Sequence, residues 1–176
     1  NTYYIIGAIS AVLLIILFFA SYVKASPDEV IIISGIKKIP KLIRGRAGFR
    51  IPFLERADKL SLKLMNLDVK TKTAVPTKDY IYVTVDAVVT AKISDKEDLL
   101  QLAAQNFLNI EIDQINKKIV EILEGNMREI VGQMNLVELV SDRQQVSNKV
   151  LANATPDLEK LGISLVTFNI QNFDDG

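Results

Sequence analysis

The side chains that most often perform catalysis are scarce in this sequence. The 176-residue chain contains no His and no Cys, which excludes His-based triads, Cys nucleophiles, disulfides and thiolate or imidazole metal sites. Its serines therefore have no His partner. Composition still allows a Ser-Lys pair, although no local motif selects one. We predict no catalytic residues, and the alternative left open is a membrane-anchored hydrolase that uses a Ser-Lys arrangement.

Two further motifs resemble ligand sites only in part. The run Arg44–Gly48 has glycines three residues apart, but no Lys-Ser or Lys-Thr pair follows, so it is interpreted as a basic turn and not as a phosphate-binding loop. Asp174 and Asp175 are adjacent carboxylates, but a metal site needs additional oxygen ligands and a shaped loop. The sequence therefore predicts no cofactor and no metal site.

The N-terminal segment is the first element to interpret, because it has no charged side chain before Lys24. A helix from Tyr3 to Val23 would be about 31 Å long, which matches the hydrocarbon core of a bilayer. We predict a transmembrane helix within residues 1–25. Its expected interface residues and anchor are Tyr3, Tyr4, Tyr22 and Lys24. The alternatives are a buried core helix and a signal peptide, whose apolar segment usually spans only about 7–15 residues.

The formal net charge of zero conceals a segregation of charge along the chain. Between Val30 and Thr73 there are eleven basic and three acidic side chains, a net charge of +8, whereas residues 74–176 carry −7. Basic side chains next to a membrane helix can bind anionic headgroups, at about 1 kcal/mol each. The predicted headgroup residues are Lys37, Lys38, Lys41, Arg44, Arg46 and Arg50. The alternative is a set of solvated turns and strand faces.

The distribution of charge also indicates which partners the protein binds and how it is oriented in the membrane. Few aromatic residues accompany the basic block, so no nucleic-acid partner is predicted. Because the basic cluster follows the helix, the positive-inside rule places the folded domain in the cytoplasm. We therefore expect a single-pass protein of the cell (inner) membrane.

Period-2 alternation predicts strands in the first half of the domain. A β-branched run at 30–35 is typical of a strand, and the alternation from Ile81 to Ile93 fits an antiparallel sheet with one packed face. Between Leu60 and Val69 the alternation changes phase at Leu64, which we interpret as a bulge within one strand. The stretch 37–50 is predicted to be a hairpin or a loop.

From Ser94 the apolar spacing becomes helical. Ser94–Glu97 resembles a capping box that opens a short helix, and apolar stripes predict two longer helices, Ile112–Met134 and Val146–Leu161. Pro156 is expected to mark a restart within the last helix, and Gly162 its C-terminus. A final strand is expected at Ile163–Ile170.

This order predicts an α+β fold. The domain would have an antiparallel β-rich first half, 26–95, and an α/β second half, 96–176. Gly125 and Gly132 lie seven apart on the predicted long helix and are candidates for contact with a neighbouring subunit. The alternative is that this face packs against the chain's own sheet.

The order of these parts resembles the flotillins, members of the stomatin/prohibitin/flotillin (SPFH, band 7) superfamily. Pro27–Gly35 is similar to the opening strand of flotillins, and Gly45–Ala47 with Ile51-Pro52 to the next segment. The strongest similarity is Leu123–Met134, with its Leu-Glu-Gly, Arg128 and Gly-x-Met elements. The similarity continues through Asp142-Arg143 and 161–164, and covers nearly everything after Ser26.

The resemblance implies a non-enzymatic membrane scaffold that forms a large homo-oligomeric ring or cage and organises membrane microdomains. It also implies a C-terminal coiled coil beyond Gly176 and, in bacterial members, a partner of the NfeD type. Animal flotillins attach through acylated cysteines, which this chain lacks, whereas bacterial members can carry an N-terminal span. The alternative is a prohibitin-like adaptor that encloses and regulates a membrane protease or transporter.

Overall fold

The structure, a computed structural model, describes residues 2–36 and 38–174. Its described part contains both helices and antiparallel strands, so the predicted α+β class is confirmed. The chain forms two compact units, the first ending at Leu62 and the second beginning at Lys63. The division of the domain at residue 95, which followed the change of apolar period, stays a prediction.

The first unit contains one long helix and five short strands. They are helix α1 (Thr2–Ser21) and strands β1 (Tyr22–Lys24), β2 (Glu29–Ser34), β3 (Lys41–Arg44), β4 (Ala47–Phe49) and β5 (Arg56–Ser61). β1 pairs with β4, and β2 lies between β3 and β5, all antiparallel. The β-branched run of β2 is buried on both faces, and it forms a small core with Ala25 and Ile43.

Two expectations for this unit were wrong. The helix was predicted to continue to Val23, but it ends at Ser21, and Tyr22 lies in β1 because Tyr22–Lys24 pairs with Ala47–Phe49. The stretch 37–50 is not one hairpin, because β3 pairs with β2 while β4 pairs with β1. The turn between β3 and β4 passes through Gly45, whose φ of +58° favours glycine.

The second unit is a small antiparallel sheet with four helices. Its elements are β6 (Met65–Lys70), β7 (Val75–Pro76), β8 (Tyr82–Ile93), α2 (Glu97–Phe107), α3 (Ile112–Gly132), α4 (Leu136–Ser141), α5 (Arg143–Glu159) and β9 (Ile163–Asp174). β8 is the central strand and pairs with β6, β7 and β9. Its inward face, formed by alternate residues from Val83 to Ile93, is buried as the alternation predicted.

Three details of this unit differ from the predictions. The phase change at Leu64 is not a bulge, because β5 and β6 are separate strands in different sheets. α2 begins after Lys96 instead of Ser94, since Ser94 is buried and its Oγ accepts a hydrogen bond from the Lys96 amide. Pro156 lies inside α5 without a restart. The break comes earlier, at Asp142, whose carboxylate accepts the Gln145 amide at 2.9 Å.

Gly162 ends the helical region, as predicted. Its φ is +81°, and a side chain there would collide with the Leu99 carbonyl and with Ala103 of α2. The residue therefore needs glycine for two reasons, the left-handed backbone and the close approach of α2.

Replacing Gly162 with Ala should lower the free energy of unfolding by about 2–4 kcal/mol, because strain and overpacking add at this position. Denaturant unfolding of the detergent-solubilised protein would measure the loss, and hydrogen exchange would locate it at α2 and the start of β9. Gly125→Ala is the matched control, since nothing lies within 4 Å of the added Cβ and alanine favours the helix. Equal stability of the two variants would contradict the proposed role of Gly162.

Candidate functional site

Helix α1 has the length and composition of a membrane-spanning helix. The most apolar stretch of 18 residues within this 20-residue helix has a mean hydropathy of 2.5, and none of the 20 residues is buried. The helix is therefore not a core helix of the described fold, and in water its apolar surface would be left exposed. The hydroxyl groups of Ser10 and Ser21 donate to the carbonyls of Gly7 and Leu17 at 3.1 and 2.7 Å. These polar groups are thus satisfied within the helix, as lipid requires.

The C-terminal end of α1 is attached directly to the first unit. The chain passes from Ser21 into β1 without a linker, and the Arg50 amide donates to the Ser21 carbonyl at 2.9 Å. The Phe49 ring of β4 lies 5.7 Å from the Phe18 ring and 6.0 Å from the Tyr22 ring, measured between centroids. A membrane that holds α1 therefore also holds β1 and β4 close to its surface.

An apolar loop, Ile51–Leu54, follows β4 after one residue. The Phe53 side chain is 98% exposed and Leu54 is 64% exposed. The loop is a tight turn, since the Ile51 amide donates to Glu55 Oε2 at 2.8 Å and the Glu55 amide donates to the Ile51 carbonyl at 2.9 Å. Phe53 has a φ of +68°, an unfavourable conformation for a bulky residue. The turn thus holds a large apolar side chain outward at a conformational cost.

Sequence reasoning missed this loop. The signal available was Pro52 followed by two large apolar residues within a basic stretch. Without the structure, nothing showed whether these side chains pointed into the core or into solvent.

The structure distributes the predicted headgroup residues over several elements. Lys41 and Arg44 are the first and last residues of β3, Arg46 lies in the following turn, and Arg50 follows β4. Lys38, Lys41, Arg44 and Arg46 are exposed, and Arg50 is half-buried. Lys37 lies outside the described residues. The basic side chains are thus spread over several elements of the first unit, and their contact with lipid stays a prediction.

The two glycines of α3 have different surroundings. Both are exposed, but nothing lies within 4 Å of a Cβ added at Gly125, whereas one at Gly132 would lie 3.7 Å from the Pro76 carbonyl oxygen. Packing against the chain's own sheet therefore does not explain Gly125. The sheet-facing side of α3 is formed by its apolar stripe, which includes the buried residues Ile119, Leu123 and Met127. Contact of Gly125 with a neighbouring subunit stays a prediction.

The Leu-Glu-Gly segment of α3 has a structural role that the sequence did not show. Glu124 is 6% exposed, and its carboxylate accepts the Lys72 amide at 2.9 Å. Arg128, one turn later, lies 3.5 Å from the same carboxylate and donates to Thr73 Oγ1 at 2.6 Å. Together Glu124 and Arg128 hold the connection between β6 and β7 against α3.

Two surface carboxylates have lowered pKa values. The Thr77 hydroxyl holds the pKa of Asp79 below its ordinary value of 3.8, and the Leu136 amide also lowers it. A hydrogen bond from the Lys160 side chain likewise lowers the pKa of Asp157. Since both folded-state values are depressed, their contribution to stability is present above pH 3.8 and is lost as the pH falls through the folded-state pKa.

The described residues offer no cluster for metal binding. In residues 2–36 and 38–174, no three His, Cys, Asp or Glu side chains come close enough together to hold a metal ion. The features with a distinctive geometry are instead an exposed apolar helix, an apolar loop and a basic surface, all in the first unit.

Comparison with known families defines the class of protein. The model of the SPFH domain / Band 7 family matches residues 23–176, so the chain belongs to that family, and the resemblance seen in the sequence is confirmed.

The relatives within the family are flotillins. The chain is 32% identical to the flotillin-like protein FloT of Bacillus subtilis (strain 168), over 97% of this chain and 36% of that protein. It is 30% identical to Flotillin-1 of Drosophila melanogaster, over 88% of this chain and 36% of that protein. It is also 30% identical to human Flotillin-1, over 85% of this chain and 35% of that protein. The chain is therefore flotillin-like, and it spans little more than a third of the length of these relatives.

Replacing Glu124 with Gln should lower the free energy of unfolding by about 1–3 kcal/mol, because Arg128 and the Lys72 amide lose a buried, charged acceptor. Denaturant unfolding would measure the change, and hydrogen exchange at residues 71–76 would show where it acts. Glu121→Gln, at an exposed position of the same helix, should have almost no effect. Equal effects of the two substitutions would refute the role assigned to Glu124.

Proposed function

We propose that this chain is the membrane-anchored part of a flotillin-like scaffold that assembles into a large ring or cage and organises membrane microdomains. One observation carries the membrane-anchored part of the proposal: an exposed apolar helix of membrane-spanning length continues without a linker into strands with basic and apolar exposed side chains. The scaffold role is proposed from the similarity to flotillins. The helix would anchor the protein, and the first unit would lie against the lipid headgroups.

The apolar loop supports the second part of this proposal. Burying a side chain such as Phe53 is worth about 1.5–3 kcal/mol, and in the structure this side chain gains almost none of that energy. Arg50, which precedes the loop, is hydrogen-bonded to the end of α1, so the loop lies near the level where the span would leave the bilayer. The interfacial region would accept Phe53 and Leu54, and nearby Lys and Arg side chains would contribute about 1 kcal/mol each.

The proposed orientation of the protein in the membrane is based on the basic residues that follow α1. Lys24 and the basic residues of the first unit all come after α1, and basic flanks are typically retained on the cytoplasmic side. We therefore propose a single-pass protein of the cell (inner) membrane with its folded domain in the cytoplasm.

Assembly would use surfaces that a single copy leaves open. Gly125 has open space above it, so the backbone of a neighbouring copy could approach α3 closely. The net charges of +8 in residues 30–73 and −7 in residues 74–176 would favour contact between unlike regions of adjacent copies. Such head-to-tail contacts close into rings when the rotation permits. A coiled coil and a small NfeD-type membrane partner would belong to the longer assembly.

A Trp placed at Phe53 should report membrane insertion of the apolar loop. The chain has no native Trp, so Phe53→Trp introduces a single indole, which can be excited separately from the tyrosines. In vesicles its emission should shift to shorter wavelength, and lipids brominated near the headgroup should quench it.

Tyr80→Trp is the matched control, because Tyr80 is also highly exposed and has a φ of +63°, but lies in the second unit. Its emission gives the reference for an exposed indole outside the apolar loop. If Phe53→Trp showed neither the shift nor quenching by the brominated lipids, the proposed membrane contact of the loop would be wrong.

Replacing Gly125 with Leu should reduce assembly without unfolding the subunit, since the added side chain points into open space. The mass distribution of the detergent-solubilised protein, measured by light scattering or chemical crosslinking, should shift at least severalfold towards small species. Gln144→Leu, at an exposed position of α5, controls for the added apolar surface. An unchanged mass distribution for Gly125→Leu would exclude this face from the subunit contact.

A further inference from the structure

A small cavity lies in the first unit beside the attachment of α1. It has a volume of about 260 Å³ and is lined by Ile33, Gly35, Lys41, Phe49, Ile51 and Glu55. These residues come from β2, β3, β4, the apolar loop and the positions that directly follow β2 and the loop, so the cavity exists only because the strands are folded together. We call it the headgroup cavity.

The backbone at the end of β2 shapes this cavity. Gly35 has a φ of +148°, and a side chain at this position would collide with the Leu54 carbonyl oxygen. The absence of a Cβ thus lets the end of β2 approach the apolar loop. Ile33 pairs directly with Lys41 across the β2–β3 ladder, which places a lysine on the wall beside a buried aliphatic residue.

Two opposite charges share this cavity. Lys41 is exposed and contributes an ammonium group, whereas Glu55 is half-buried. Glu55 is positioned by the Ile51 amide, which donates to Oε2 at 2.8 Å, and a carboxylate can accept several further hydrogen bonds. A purely anionic ligand would be repelled by Glu55, and a purely cationic one by Lys41. A ligand that carries both a negative and a positive group would form favourable contacts with Lys41 and with Glu55.

The position of the cavity identifies the source of such a ligand. Its aromatic wall, Phe49, is the ring that packs against Phe18 of α1 and Tyr22 of β1. The cavity therefore lies next to the end of the span, at the level of lipid headgroups. The exposed Leu54 and Phe18 would offer an apolar path for acyl chains.

We propose that the headgroup cavity binds a membrane phospholipid whose headgroup contains a phosphate and a primary amine, of the phosphoethanolamine type. Lys41 Nζ would contact the phosphate, and the Glu55 carboxylate would accept hydrogen bonds from the ammonium group. A trimethylammonium headgroup fits less well, because it has no N–H to donate. Such groups are typically held by a cage of aromatic rings, whereas Phe49 is the single aromatic residue among the six that line the cavity. This inference rests on the proposed membrane location and adds a selective lipid site to it.

Photo-crosslinking would test the proposal. The protein would be reconstituted in phosphatidylcholine vesicles that contain trace phosphatidylethanolamine, phosphatidylglycerol or phosphatidylcholine with a photoreactive group in the acyl chain. Labelling of the wild-type protein by phosphatidylethanolamine should exceed labelling by the other two lipids by about fivefold, the ratio expected for about 1 kcal/mol of selective binding.

Substitutions of the two charged residues in the cavity wall should change the lipid labelling in different ways. Glu55→Gln keeps an acceptor for the Ile51 amide but removes the charge, so phosphatidylethanolamine labelling should fall about fivefold while phosphatidylglycerol labelling rises. Lys41→Gln should lower labelling by both lipids. Lys59→Gln and Glu29→Gln are matched controls in the same unit, since neither residue lines the cavity, and both should behave like the wild-type protein.

Three results would overturn the proposal. These are equal labelling by phosphatidylethanolamine and phosphatidylcholine, equal effects of the cavity variants and their controls, and full competition by soluble glycerophosphoethanolamine, which would identify a soluble ligand instead of a lipid. Flotation of the same samples tests the membrane anchor separately. If the protein did not float with the vesicles, the proposed function would fail, and labelling in mixed detergent–lipid micelles would still measure the selectivity of the cavity.

Discussion

The direct continuation of α1 into β1 is the constraint on which the first unit depends. A helix that spans a bilayer satisfies its backbone hydrogen bonds internally, and where it ends its last carbonyl groups need other partners. Here the last carbonyl of the helix, that of Ser21, accepts the Arg50 amide, and the next residue begins a strand paired with β4. No linker separates α1 from the strands of the first unit.

Because of this arrangement, the short strands β1 and β4 also position the residues that follow them. Isolated two-stranded ribbons are only marginally stable in water, and β1 and β4 have three residues each. The aromatic contacts of Phe49 with Phe18 and Tyr22 supply the additional packing at the end of the helix. The ribbon in turn positions the apolar loop and the wall of the headgroup cavity, so one attachment places several candidate lipid contacts.

The sequence predicted best the elements whose signal is long and periodic. The alternation along β8 and the apolar stripes of α3 and α5 each repeat often enough to specify both the type of element and its buried face. Gly162 could also be predicted, because the left-handed end of a helix is a local requirement. The α+β class followed from the order of these elements.

The missed features depend on contacts that no periodic pattern in the sequence records. β1, β4 and β7 are too short for any period to identify. β1 and β4 exist because they pair with each other across the intervening strands, and β7 because it pairs with the start of β8. The phase change at Leu64 was visible but ambiguous, since a bulge and a passage between two sheets produce the same pattern. The burial of Glu124 and the exposure of Phe53 contradict their residue types, and only the folded chain shows the contacts responsible.

The most recognisable segment of the chain is therefore not the one that contacts the membrane in this proposal. The Leu-Glu-Gly and Arg128 elements of α3 hold the β6–β7 connection in place through buried and charge-assisted hydrogen bonds. A motif with that role identifies the fold, because few substitutions preserve such a network. The surfaces that would meet lipid need only exposed apolar and basic side chains beside a span, and many sequences satisfy that requirement. Family membership rests on the match over residues 23–176, which include α3, whereas membrane contact has to be argued from the surface of the first unit.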